Sequence, residues 1–352
     1  AHNLKVGGSN LSPATKRLFI FEMIINKYLN NYLNTDHILL ILFIILPVSL
    51  LTGSAIININ IFLIDLIFLK ILFSSKNFKE IFNDIFFYLL LLFFLSLIIN
   101  IFFNNGEYFT YKSQIGILRF IIFIYAFKYI LNLQKYKNLH QIMKVWSIIF
   151  IVVSIDLVFE FIFGYNLIGN TSYIPGRLSG FLGDELKIGN WYAGLVFLVS
   201  TFILLKMKNN KLSMILLTLF LIISFLIGER SNLIKIATGY ILLLIFTDKL
   251  NLKLKASILI IFIFFTSLLV TNNSVIKTRF SSQVLSQLKA DGLINKVMAS
   301  HYGVHYYTAY KIFEKNPIFG IGVKQFRYES TKDIYEENKY NIHELEKWAT
   351  HP

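Results

Sequence analysis

The chain of 352 residues has no cysteine, only five prolines, and charged residues at 15%. Without cysteine there can be no disulfides, no thiolate-held iron–sulfur cluster and no cysteine-ligated zinc. Arginine is also scarce: of 34 basic residues, six are Arg, at positions 17, 119, 177, 230, 279 and 327. No HExxH or comparable metal spacing, Ser-His-Asp order, phosphate-binding loop or GxGxxG occurs. "GIGVKQF" is a turn motif, because no strand precedes it. Nor is there an internal repeat or a low-complexity linker. The first methionine is Met23, and "GGSNLSPATK" (Gly7 to Lys16) resembles a translated tRNA-gene end. We expect residues 1–22 to be non-native read-through and the chain to stop short at "THP".

What fills the sequence is hydrocarbon. Hydrophobic residues make up 55%, and the mean hydropathy is +0.61. Apolar runs of about 18 residues recur along most of the length, the pattern of an all-α polytopic membrane protein rather than of amphipathic soluble helices. Nine spans are expected, near residues 38–54, 56–73, 85–103, 115–131, 145–163, 191–206, 212–228, 233–247 and 255–271. A transmembrane bundle over 23–271 would then precede a large, partly helical loop over 272–352. Further helices are expected beyond it.

The connections alternate in character. "SSKNFKE", "NLQKYKNLHQIMK", "KMKNNK" and "DKLNLKLK" are short and lysine-rich, and the intervening set is not. The positive-inside rule places the lysine-rich set and the N-terminus in the cytoplasm and the large loop outside. The formal net charge of +14 is then explained by cytoplasmic lysines facing membrane lipids, and no nucleic-acid partner is expected.

By this topology Arg119, Arg177, Arg230, Arg279 and Arg327 all lie at or near the outer face. An AT-rich coding bias tends to replace Arg with Lys wherever a bare positive charge suffices. Retained arginines therefore point to planar, bidentate binding of phosphate or carboxylate. The plainer reading for each is a nearby acid partner or a headgroup contact. Glu229 and Arg230 occupy the short hairpin "GERSN", as a neutralising pair or with Glu229 orienting Arg230 towards a ligand. Asp184 and Glu185 are candidates for an acid pair or a hydroxyl acceptor, or a cap for the next helix. Asp156 and Glu160 share one helix face, and Asp65 is embedded. Acids of this kind are either functional or paired inside the bundle. His301 and His305, four apart, lack a third metal ligand.

Four stretches follow one order: "GRLSGFLGDELKIGNWYAG", "GERSNLIK", "HYGVHYYTAYKIFEKNPIFGIGVKQFRYES" and "THP". With the many spans and large outer loop, this order resembles the O-antigen ligase/polymerase family over roughly residues 38–352. These are GT-C-type membrane glycosyltransferases that use undecaprenyl-pyrophosphate-linked glycans. Two departures are visible. The family continues "THP" with His-Asn and more helices, and some relatives carry a cysteine before it that this chain lacks.

The resemblance implies a metal-independent, inverting transfer in the bacterial inner membrane, on its periplasmic face, without a cofactor. Arg177, Arg230 and Arg279 would hold the pyrophosphate, His351 would serve as base or acceptor-orienting group, and Arg327 is a weaker match. Asp184, Glu185 and Glu229 remain secondary candidates. The acceptor would be lipid A–core for a ligase or a second lipid-linked glycan for a polymerase. An exporter or a non-enzymatic assembly subunit is the alternative of another class.

Overall fold

The structure is a computed structural model that describes residues 35–74, 82–103, 114–134, 136–282, 301–330 and 332. Among these residues every regular element is a helix. Long apolar runs leave no other solution, because in hydrocarbon each backbone N–H must be satisfied within its own segment. In chain order the helices are α1 (Thr35–Ile44), α2 (Leu46–Leu51), α3 (Ser54–Ser74), α4 (Ile85–Phe103), α5 (Leu118–Leu133), α6 (Tyr136–Phe163), α7 (Ile188–Lys206), α8 (Asn210–Leu226), α9 (Arg230–Phe246) and α10 (Leu252–Asn272). Beyond them come α11 (Ser274–Lys277), α12 (His301–Lys315) and α13 (Phe326–Glu329).

Each of the nine expected spans falls on helix. Five helices, α3, α4, α6, α7 and α10, are long and apolar enough to cross a membrane. The protein is membrane-embedded, and its surface gives the reason. Only 6% of the apolar window of α4, and the same share of α10, is buried inside the protein. Their outward Phe and Ile side chains need a hydrocarbon solvent.

The first expected span is two helices rather than one. Pro47 has no N–H to donate, so the carbonyl of Phe43 loses its intrahelical partner. The indole N–H of Trp146 donates to that carbonyl at 3.0 Å. Trp191 in turn donates to the carbonyl of Pro47 at 2.9 Å. A break visible in the sequence as a single proline thus becomes a fastening point for α6 and α7.

The central helix is α7, which packs against α6, α8 and α9. Its fully buried Tyr192 donates to the carbonyl of Phe220 at 3.1 Å. The hydroxyls of Ser200 and Tyr240 share a hydrogen bond of 2.8 Å. Gly239 leaves room for the Phe197 ring where any side chain would collide with it, the small-residue contact that lets membrane helices approach closely.

The bundle has two ends. At one end the start of α4 meets α5. There Asp84 caps α4 by accepting from the Phe87 amide at 2.7 Å, and it binds Lys128 and Tyr125 of α5. At the other end lie residues 164–187, the 227–229 hairpin and α11, which together form the candidate site.

Candidate functional site

The site is built on two carboxylates one turn apart on α6. Both are buried, Glu160 at 3% exposure and Asp156 at 0%. One oxygen of Glu160 accepts from the backbone N–H and the hydroxyl of Ser179, each at 2.7 Å. Its other oxygen accepts from the Gly180 amide at 2.8 Å. Asp156 accepts from the Leu167 amide at 2.8 Å, and its second oxygen has no hydrogen-bond partner. Asn166 ties the two attachment points together. Its amide group donates to the carbonyl of Gly180 at 2.6 Å, and its side-chain oxygen accepts from Ile168 and Asn170. The shared helix face expected for Asp156 and Glu160 is real, and what it grips is loop backbone.

This clamp delivers Arg177 to the centre of the end face. The Arg177 guanidinium donates to the carbonyl of Leu186 at 2.6 Å and forms an ion pair with Glu229. Its Nε is buried without a partner. The other Glu229 oxygen accepts from Asn232, and the carboxylate packs on Gly189, where a Cβ would not fit.

Glu229 therefore neither pairs with Arg230 nor orients it, the two roles read from their adjacency. The physical reason is local geometry. Glu229 is the extended N-cap of α9 (φ −92°, ψ 100°) and Arg230 is the first helical residue, so their side chains diverge. Arg230 is half-buried and has no hydrogen-bond or ion-pair partner among the described residues.

The third arginine arrives from α11 and the turn after it. The Nε of Arg279 donates to the carbonyl of Gly228 at 2.6 Å. Its aliphatic stem lies along Gly176, with Cδ 3.1 Å from where a Cβ would stand. Gly176 and Gly228 are themselves in backbone contact. Gly228 has φ +77° and would drive a Cβ onto the Gly176 carbonyl oxygen, and Leu178 donates to the carbonyl of Ile227 at 3.1 Å. Two arginines far apart in sequence, Arg177 and Arg279, thus hold the 227–229 hairpin, through Glu229 and the carbonyl of Gly228, and Arg230 is the next residue along.

Beside them is a cavity of about 350 Å³ lined by Glu160, Ser172, Gly176, Arg177, Leu226 and Asn273 among others. A second, larger cavity of about 620 Å³ runs down the bundle between α6, α8 and α10. Its walls include Ile155, Val158, Leu219, Ile222 and Phe265, and it shares Leu226 with the first.

Other expected residues stand apart. Glu185 pairs with Lys187 at 3.1 Å on the exposed surface, a pair that contributes little in water. It does not cap α7, whose N-cap Lys187 makes no side-chain cap bond. Asp184 belongs to the 3₁₀ turn Gly180–Glu185. Arg119 opens the α5 region with its guanidinium 4.8 Å from the centre of the Phe120 ring. Arg327 sits on α13. His351 lies outside the described residues, as does Arg17. His301 and His305 both lie on α12, and no group of three metal-ligating side chains occurs among the described residues. Asn166 and Asn232 escaped sequence reasoning. The spacing of Asn232 three residues after Glu229, at a helix start, was the available signal.

The arrangement pairs Arg177 with Glu229, ties Arg279 to the hairpin backbone, and sets the cavity that Arg177 lines beside a larger apolar one at a bundle end. It is suited to an anion carried on a hydrocarbon chain. No family model, curated protein or solved structure matches the chain.

Proposed function

We propose that the protein is a membrane glycosyltransferase, O-antigen ligase-like, that transfers or polymerises an undecaprenyl-pyrophosphate-linked glycan. The observation that carries the proposal is that Arg177 and Arg279 both hold the hairpin that Arg230 follows, with Arg177 lining a cavity that shares Leu226 with an apolar groove. In this proposal all nine spans cross the inner membrane, the lysine-rich end is cytoplasmic and the arginine end periplasmic.

An acceptor hydroxyl attacks the anomeric carbon from the face opposite the pyrophosphate, and the sugar–oxygen bond to the pyrophosphate breaks. The electron pair leaves on undecaprenyl pyrophosphate, and the hydroxyl proton passes to His351. The arginines hold the charge that develops on the leaving group. Arg177 and Arg279 also carry backbone carbonyls, so Arg230, without such duties, isolates the electrostatic role. Arg230→Lys in the full-length protein should lower turnover roughly 10²-fold while leaving expression and melting temperature unchanged.

The deciding assay incubates the full-length protein in vesicles with purified lipid-linked oligosaccharide and measures released undecaprenyl pyrophosphate. Release only with added lipid A–core marks a ligase, and release without it marks a polymerase. An exporter instead moves intact lipid-linked glycan across the vesicle and releases none. That second reading draws on Asp65, buried in the middle of α3 with one oxygen unpartnered.

A further inference from the structure

Helix α12 presents a stripe that the bundle does not use. Tyr306, Tyr310 and Phe313 recur at helical spacing and are exposed at 71%, 55% and 57%. Ala309 lies between them on the same exposed face. On the same helix Ile312 is buried, at 5% exposure. Monomeric soluble surfaces rarely expose contiguous aromatic stripes of this kind.

The segment that follows α12 fixes the height of this stripe relative to the bilayer. The Phe319 ring stacks on the ring of Phe103, the last residue of α4, with centroids 4.0 Å apart and planes 5° apart. The Phe319 carbonyl accepts from Asn100, whose side-chain oxygen accepts from Gln114 at 2.7 Å. Residues 318 and 319 therefore stand where α4 leaves the hydrocarbon. There Phe102 and Ile318 are exposed at 79% and 83%. Phe103, Phe319 and Ile318 are all exposed, so the segment after α12 sets apolar side chains beside the lipid-facing end of α4.

We propose that α12 is an interfacial helix that rests on the bilayer, with Tyr306, Tyr310, Phe313 and Ile318 in the boundary between headgroups and acyl chains. The chemistry of the stripe fits that layer. Tyr has an apolar ring and a polar tip and concentrates at membrane–water interfaces. Lys311 lies over the rings of Tyr307 and Tyr310, at 5.7 and 5.9 Å from their centroids, and its ammonium forms an ion pair with Glu314 at 2.7 Å. Apolar faces of this type sit roughly 5–10 Å into the boundary. The inference does not depend on the proposed enzymatic activity. It makes the loop after α10 a structure tethered to the membrane at α12 as well as at the bundle.

The chain contains no cysteine, so one introduced thiol labels one position. A spin label at Ala309→Cys disturbs none of the aromatic residues, and a label at Lys324→Cys, in an exposed turn, serves as the water reference. The full chain is reconstituted in phosphatidylethanolamine–phosphatidylglycerol nanodiscs, and collision with oxygen is compared with collision with a water-soluble nickel chelate. The oxygen-to-nickel ratio should be several-fold higher at 309 than at 324. Replacing Tyr306, Tyr310 and Phe313 by Ser should bring the 309 value down to the reference.

Equal ratios at the two positions in the unaltered stripe would overturn the proposal and favour a solvated, sugar-stacking face. Immobilisation at 309 with dipolar broadening would also overturn it, in favour of a second copy of the chain. A 309 value that stayed high in the triple-Ser variant would mean that the aromatic stripe is not the anchor.

Discussion

Glu229 accepts from Arg177 and Asn232 and leaves Arg230, its neighbour in sequence, without a partner among the described residues. The carboxylate is 9% exposed, so the pair is shielded from the screening that weakens surface ion pairs. Glu229→Gln keeps the shape and removes the charge. One side of the amide then presents hydrogens to donors on Arg177 or Asn232. We expect a loss of roughly 1–3 kcal/mol, read as a lower melting temperature in detergent, together with reduced turnover.

At the opposite end of the bundle Asp84 gives a pH signature. The hydrogen bond from Lys128 first, then those from Tyr125 and the Phe87 amide, lower its pKa from 3.8 to about 2. A depressed carboxylate stabilises the folded state above its unfolded pKa and loses that effect as pH falls through the folded value. The melting-temperature gap between the native chain and Asp84→Asn should be full at pH 5–7, shrink below pH 4 and close near pH 2. A gap independent of pH would mean that the charge of Asp84 does not matter.

Among the elements, the stretch 164–180 depends on α6 more than on its own residues. Glu160→Gln keeps one acceptor for Ser179 but turns an amide group towards the Gly180 N–H. The loss should be roughly 2–3 kcal/mol, with faster hydrogen exchange at Ser179 and Gly180 than at residues buried in α7. How much of this was visible beforehand differs by level. Helix positions were legible because the solvent enforces them: an apolar run of sufficient length has one way to satisfy its backbone. The break at Pro47 was legible in principle, and its repair by Trp146, some hundred residues later, was not. An AT-rich code makes each retained Arg conspicuous, which marks Arg119, Arg177, Arg230, Arg279 and Arg327 alike. Their internal bookkeeping could not be read from it, since Glu229 pairs with a residue 52 positions upstream. The two α6 carboxylates bind backbone amides, which every residue but proline carries, so no side-chain pattern announces the partner.

For the molecule as a whole, the orientation proposed above, lysine-rich connections inside and arginine end outside, is open to a direct test. A single cysteine at Asn209 should react with an impermeant maleimide only after cells are opened, and one at Thr171 should react in intact cells. The reverse pattern would invert the topology. The same distances also govern how the protein is made. Arg177 is synthesised 52 residues before Glu229, an interval of roughly 3–10 s at ordinary translation speeds. During that interval Arg177 lacks the carboxylate it pairs with in the folded protein. The ion pair can therefore close only after the hairpin between α8 and α9 has been made.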